Sequence, residues 1–398
     1  MLARLLCISL TAVAPLCFAE DWPRWRGPDL NGISAEKNWF APWPNGSPRQ
    51  VWKASVGLGM SSISVANEIA VTMGNEGDQD TVWCFDANDG KLRWKHTYAS
   101  PLDPNLYEGG PSSTPTIEAG TIYTLSKDGH LYALAAADGK PRWHVDLLKE
   151  HGVKKPEWGF ASSPLIIGER LFVNAGGAGA CFNKATGKLM WLSSKEPAAY
   201  ATPVPIKFGG REALMFQASR EVVAVAQDDG ERLWGTEWKT SYDTSSIDII
   251  PVGSKVFISS YRHPAVVIDV GANPPKQLWE NKEFWQHMNT PTLVNGVLYG
   301  FHGDGRHDAE FKAVHFETGQ TAWTAKNLPV GSNIAADGKL ILLTGKGELI
   351  VAEANPEKYV ELARAQILGG KCWTSPTLVN GKIYARNVKG DLVCVATK

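Results

Sequence analysis

A tryptophan preceded by a tight turn recurs along this 398-residue chain at nearly constant intervals. FDANDGKLRW ends at Trp94, AAADGKPRW at Trp143, NKATGKLMW at Trp191, AQDDGERLW at Trp234 and HFETGQTAW at Trp323. Ten residues before each tryptophan stands a small residue: Cys84, Ala133, Cys181, Ala224 and Ala313. That residue sits in a short alternating stretch such as TVWCFDA (81–87) or EVVAVAQ (221–227), the period of a half-buried strand. Asp-Gly or Thr-Gly follows, and a second stretch closes on Trp. The pattern is a hairpin, with Gly where the turn needs φ > 0. A chain of this length would otherwise suggest two or three domains; a repeat at fixed period makes it one architecture.

A second hairpin precedes each of these. STPTIEAGTIYTL (113–125) turns at Ala119-Gly120, and SSPLIIGERLFVNAG, NTPTLVNGVLYGFHG and TSPTLVNGKIYARN read the same way. Each unit is therefore a four-stranded antiparallel meander of about 45 residues. Units fall at about 60–94, 112–143, 162–191, 201–234, 244–279, 289–323 and 330–367, and an eighth starts at Thr374. In the fifth, GANPPKQ lengthens the turn, so that twelve residues separate Val267 from Trp279. The seventh is degenerate: its small slot is Val351, and Glu361 falls where Trp is expected. The eighth reaches its slot at Cys394, and the sequence ends at Lys398 before a fourth strand. RQVWKASV (49–56), with Trp52 in the repeat position, is the candidate for that strand. The expected fold is all-β: an eight-bladed propeller over 49–398, closed by an N-terminal strand so that no long sheet edge is left exposed.

Residues 1–19, MLARLLCISLTAVAPLCFA, have a basic start, a short apolar stretch and a small-x-small end, and read as a signal peptide cut after Ala19. The apolar stretch is short for a membrane anchor, and Leu16 before Cys17 argues against lipidation. The expected location is periplasmic or secreted, with no transmembrane segment. Residues 20–48 form a Trp- and Pro-rich lead segment expected to pack across the propeller. Export permits disulfides, but Cys84, Cys181 and Cys394 occupy the small slot and read as buried apolar residues. No C-x-x-C or C-x-x-C-H occurs, so thiol redox chemistry and covalent haem have no support. A net charge of −1 with no basic stripe makes a nucleic-acid partner a poor expectation. There is no G-x-S-x-G elbow or Walker loop.

The repeated small-x-Asp/Asn…Gly-Lys-x-x-Trp pattern resembles the pyrroloquinoline-quinone (PQQ) type propeller repeat. DWPRWRGPDLNGIS (21–34) also resembles the start of secreted PQQ-like repeat proteins from planctomycete-type bacteria. The resemblance implies two branches, since one fold hosts many functions. Quinoprotein dehydrogenases hold PQQ and Ca²⁺ on the axis and use an aspartate base to oxidise alcohols or sugars. BamB-like members are non-catalytic scaffolds of outer-membrane barrel assembly. The chain lacks the adjacent cysteine pair of several methanol-dehydrogenase-like enzymes.

Chemistry is expected in the non-repeating loops around the axis. There the sequence supplies aromatic, acidic, imidazole and guanidinium groups, a composition suited to a polar planar ligand, a sugar or a peptide edge. Glu108, Trp158, Arg220, Arg262, His287 and Trp373 are the candidate ligand-binding residues, and Asp243 is the candidate general base. His302, Asp304, His307 and Asp308 lie in FHGDGRHDAE, which reads equally as a polar Gly-rich turn, and no metal site is assigned. The leading expectation is an exported, monomeric, non-catalytic module that binds a protein partner or small polar ligand at its axial face. A PQQ- and Ca²⁺-dependent oxidoreductase is the alternative, and a glycan-binding or glycan-processing envelope protein the third reading.

Overall fold

The computed structural model describes residues 21–305 and 309–398. The signal peptide and Cys17 assigned from sequence, and His307 and Asp308, lie outside the described residues. Eight antiparallel sheets follow one another in chain order, each with its four strands side by side. Blade one spans 64–99, two 116–146, three 165–192, four 204–237, five 250–281, six 292–326 and seven 332–366. Blade eight takes three strands from 377–396 and its fourth from Gln50–Ser55. The closure expected at Trp52 is present: Trp52 lies opposite Cys394.

The same register builds every regular blade. Cys84 faces Trp94, Ala133 faces Trp143, Cys181 faces Trp191, Ala224 faces Trp234, Val267 faces Trp279 and Ala313 faces Trp323. A small side chain on the third strand leaves room for an indole directed at the next blade. There the indole N–H finds a backbone carbonyl, as a buried Trp needs. Trp94 Nε1 donates to Ala136 O (2.8 Å), Trp143 to Lys184 O (2.9 Å), Trp191 to Gln227 O (3.1 Å), Trp279 to Phe316 O (2.8 Å) and Trp52 to Ala87 O (3.1 Å). The turn glycine of the receiving blade lies under the ring. A Cβ on Gly139 would stand 2.4 Å from Trp94, and one on Gly90 2.6 Å from Trp52. Glycine is required here both by φ (+71° at Gly139) and by the indole face. The four described cysteines are buried and free, and burial pushes the thiols of Cys84, Cys181, Cys372 and Cys394 up to about 12.

Blade seven breaks the pattern differently from the sequence expectation. Val351 faces Ala363, not Glu361, because residues 354–360 make a turn two residues longer, as in blade five. Glu361 instead holds Arg364 (2.8 Å) and accepts from Tyr359 Oη (2.9 Å) on the surface. The indole missing from the junction of blades seven and eight is replaced by the lead segment. Trp39 and Trp43 are buried in the apolar cluster that includes Val351 of blade seven and Leu378 and Val379 of blade eight. Ala41 N bonds Thr397 O (3.4 Å), a carbonyl three residues past the slot, where other blades receive an indole.

The rest of the lead segment is a strap across one end of the ring. Trp22 pairs with Val65 of blade one, and Ile117 N of blade two donates to Pro23 O (2.7 Å). Ile33–Ser34 adds a parallel fifth strand to blade seven. The Glu36 carboxylate accepts from Asn380 N and Gly381 N (2.5 and 2.9 Å) at the first hairpin of blade eight.

Candidate functional site

Just before the innermost strand, most blades place a hydroxyl residue beside the axis, usually ahead of Pro. These side chains join neighbouring blades. Ser62 N donates to Thr114 Oγ1 (3.2 Å), Thr114 N to Ser163 Oγ (3.0 Å) and Ser163 N to Thr202 Oγ1 (3.1 Å). Thr202 N donates to Asp248 Oδ1 (2.9 Å), Asp248 N to Thr290 Oγ1 (3.0 Å) and Ser375 N to Ser62 Oγ (3.1 Å). The result is a hydrogen-bonded belt in which Asp248 is the carboxylate member.

Asp248 is also where the strap meets the axis. Trp25 Nε1 donates to its Oδ2 (2.5 Å), and the buried Arg26 guanidinium stands 3.9 Å from the same oxygen. Arg26 further donates to Thr290 O and Pro291 O (both 3.1 Å) and to Asn31 O (2.9 Å). A buried cation is tolerated when charge and carbonyls satisfy it in this way. Burial lowers the Arg26 pKa to about 10 against the pull of Asp248, and burial raises that of Asp248 against the pull of Arg26.

Above this floor opens a cavity of about 410 Å³, within the usual range for ligand pockets. Of the sequence-predicted residues, Trp158, His287 and Trp373 line it. Two aromatic groups form its walls. On one side Trp158 lies 5.9 Å from Tyr200, and Tyr107 Oη donates to Trp158 O (3.0 Å). The Trp158 indole is held by Asn105 O (2.9 Å). On the other side Tyr261 lies 4.6 Å from His287, which lies 6.1 Å from Trp373. Burial pushes the Tyr200 phenol up to about 12, so the hydroxyl stays neutral.

The remaining predicted residues stand outside the lining, each in an ion pair. Arg220 Nε meets Asp243 Oδ2 at 3.0 Å, both partly exposed, and Arg220 borders a separate cleft with Ser194, Glu196 and Arg232. Arg262 Nη2 meets Asp304 Oδ2 at 3.3 Å and stacks its guanidinium over Tyr261. Glu108 pairs with Lys371 (3.1 Å), whose ammonium sits 3.7 Å over the Trp373 ring. At the mouth, Leu106 is 83% and Tyr242 69% exposed, and both hold left-handed backbone (φ 63° and 64°). Such conformations are uncommon for bulky residues and cluster at functional loops.

Sequence reasoning missed the floor. Its signal was Asp248 in SSID, at a position that STP, SSP, ATP and NTP fill with Ser or Thr in other units. It also missed that the lead segment supplies Trp25 to the pocket.

PQQ, a polycarboxylate quinone, finds a poor fit here: among the described residues the lining holds no Lys or Arg, and Arg26 and Arg262 are already paired with the lining carboxylates Asp248 and Asp304. Nor is there, among the described residues, a group of three or more His, Cys, Asp or Glu arranged to hold a metal ion.

The sequence family described as outer membrane protein assembly factor BamB matches residues 44–146 and 78–325. Outer membrane protein assembly factor BamB of Yersinia pestis is 22% identical over 366 residues, covering 88% of this chain and 79% of that protein. The crystal structure of BamB from Moraxella catarrhalis superposes with a TM-score of 0.64 at 14% identity, over 87% of this chain and 97% of that one. Quinohemoprotein alcohol dehydrogenase ADHIIG from Pseudomonas putida HK5 superposes with a TM-score of 0.66 at 13% identity, over 95% of this chain and 80% of that one. Structural likeness at these identities shows the shared propeller.

Proposed function

From the premise that this chain belongs to the outer membrane protein assembly factor BamB family, with its PQQ-like repeats, we propose that it is a non-catalytic binding scaffold of the cell envelope. Its axial face engages the partner. The observation that carries this reading is the rim of the pocket: Leu106 and Tyr242 are held exposed in left-handed backbone beside an aromatic cavity. Leu106 and Tyr242 share one cavity mouth with Trp158, Tyr200, Tyr261 and Trp373, and such a convergence of apolar side chains is a mark of an interaction surface, where singly scattered ones are not. The candidate base Asp243 is occupied by Arg220 and stands outside the lining, which weakens the oxidoreductase alternative.

We further propose export by the leader 1–19 to the periplasm or beyond, and a monomeric state. No helix among the described residues is long and apolar enough to cross a membrane.

The test is a titration of the chain beginning at residue 20 with PQQ and Ca²⁺, followed by tryptophan fluorescence and by dye reduction with alcohols and aldoses. No saturable change is expected. Saturable binding accompanied by substrate-dependent dye reduction overturns the scaffold reading and restores the quinoprotein one.

A further inference from the structure

The floor of the axial pocket has a polarity that narrows what can occupy it. Ser62, Ser163 and Thr202 line the pocket, and each hydroxyl already accepts a backbone N–H from the belt. A hydroxyl has one proton to donate besides its lone pairs, and among the described residues no hydrogen bond has one of these three hydroxyls as its donor. The floor therefore offers three O–H donors. Beside them stands the Asp248 carboxylate, which takes an N–H from Thr202 on Oδ1 and from Trp25 on Oδ2, has its charge balanced by Arg26 at 3.9 Å, and retains lone pairs for a further donor.

Three ligand chemistries can be compared on this floor. An anion would accept from the hydroxyls but has no proton to give the Asp248 carboxylate beside them, and the guanidinium groups at hand are already engaged, Arg26 with Asp248 and Arg262 with Asp304. A quaternary or primary ammonium would suit the aromatic walls and the carboxylate, but it would leave the three hydroxyl protons unmatched. A neutral polyol satisfies both: its hydroxyls accept from Ser62, Ser163 and Thr202 and donate to Asp248. Its C–H faces lie against the walls led by Trp158 and Trp373. On the strap side Trp25 belongs to the lining and Arg26 is buried against Asp248, an arrangement that suits a terminal ring entering from the mouth better than a threaded strand.

We infer that the axial pocket binds a neutral sugar ring, the terminal unit of an uncharged glycan. This goes beyond the scaffold proposal and rests on its reading of the axial face as a binding surface rather than a reaction centre.

The experiment uses the chain beginning at residue 20, with isothermal calorimetry and tryptophan quenching. Glucose, N-acetylglucosamine, cellobiose and chitobiose are the neutral probes. Glucuronate, glucosamine and the peptide Ala-Asn-Gln-Ala are the comparators. At least one neutral sugar is expected to bind saturably in the millimolar range or tighter, with glucuronate at least about tenfold weaker than glucose if glucose is the sugar bound. Trp158→Ala and Thr202→Val are each expected to weaken binding about tenfold or more. Ser163→Ala supplies the floor test if Thr202→Val melts below the parent. Absence of saturable binding across the neutral sugars overturns the inference, as does tighter binding of glucuronate, glucosamine or the peptide. If the sugars fail and PQQ also gives neither binding nor dye reduction, the sugar site falls while the scaffold reading stands. If PQQ supports dye reduction, both fall.

Discussion

At the scale of single residues, the most consequential placements are charges and thiols taken out of water. Asp80 is buried with its Oδ1 accepting from Asn75 Nδ2 (2.7 Å), and burial raises its pKa to about 6. An unfolded Asp carboxyl ionises near pH 4. Between pH 4 and 6 the folded chain therefore binds more protons, so stability from this site falls as pH rises through that window. Asp80→Asn keeps an acceptor for Asn75 and removes the buried charge. It should stabilise the protein at pH 8 by about 1–3 kcal/mol, with the gain vanishing below about pH 4; denaturant unfolding at both pH values measures this. The four buried thiols make a second expectation. Ellman's reagent should label none of Cys84, Cys181, Cys372 and Cys394 in the native chain beginning at residue 20, and all of them in guanidinium. Rapid native labelling would contradict their role as packing residues.

At the scale of the blade, the recurring phrase is a three-part joint. The small slot admits the indole, the indole bonds a carbonyl of the next blade, and the glycine there lies against the ring. Trp94→Ala should cost about 3–5 kcal/mol, and Gly139→Ala should also destabilise. The reason is that its Cβ would stand 2.4 Å from Trp94 at a φ of +71°. Gly120, at a comparable φ of +72° but with open space around its missing Cβ, is the control. Chemical denaturation of the two glycine variants separates indole contact from backbone strain. Equal losses would show that φ alone sets the requirement. The hairpins, the slot and the tryptophans were legible in the sequence because each rests on local spacing. The register of blade seven was not, because its longer turn carries no Gly to mark it and the offset shows only in the pairing of Val351 with Ala363.

At the scale of the whole ring, closure depends on two N-terminal pieces with different tasks. Gln50–Ser55 completes blade eight, whereas 21–48 supplies Trp25 to the pocket lining and fills the junction beside blade seven. Deleting 20–56 should abolish the cooperative thermal transition. Deleting 20–48 should lower the melting temperature while leaving a cooperative transition, since the closing strand remains. If both truncated chains melt as the parent does, the ring does not depend on these segments.

The all-β class, the eight units, the closing strand and the buried cysteines all followed from the order of residues along the chain. Each is set by short-range periodicity and turn chemistry, which a linear sequence displays directly. The pocket was legible only in part. Trp158, His287 and Trp373 sit in loops that the repeat does not explain, and the ring brings those loops together so that all three line the cavity. Their partners could not be read in the same way. Asp248 meets Trp25 and Arg26 across more than two hundred residues, and Arg220, Asp243, Arg262 and Glu108 are drawn into ion pairs outside the lining. Which loop groups face the axis and which neutralise one another depends on side chains from different blades converging at one end of a closed ring. That convergence is a property of the tertiary fold, because the residues that meet there have no fixed spacing in sequence.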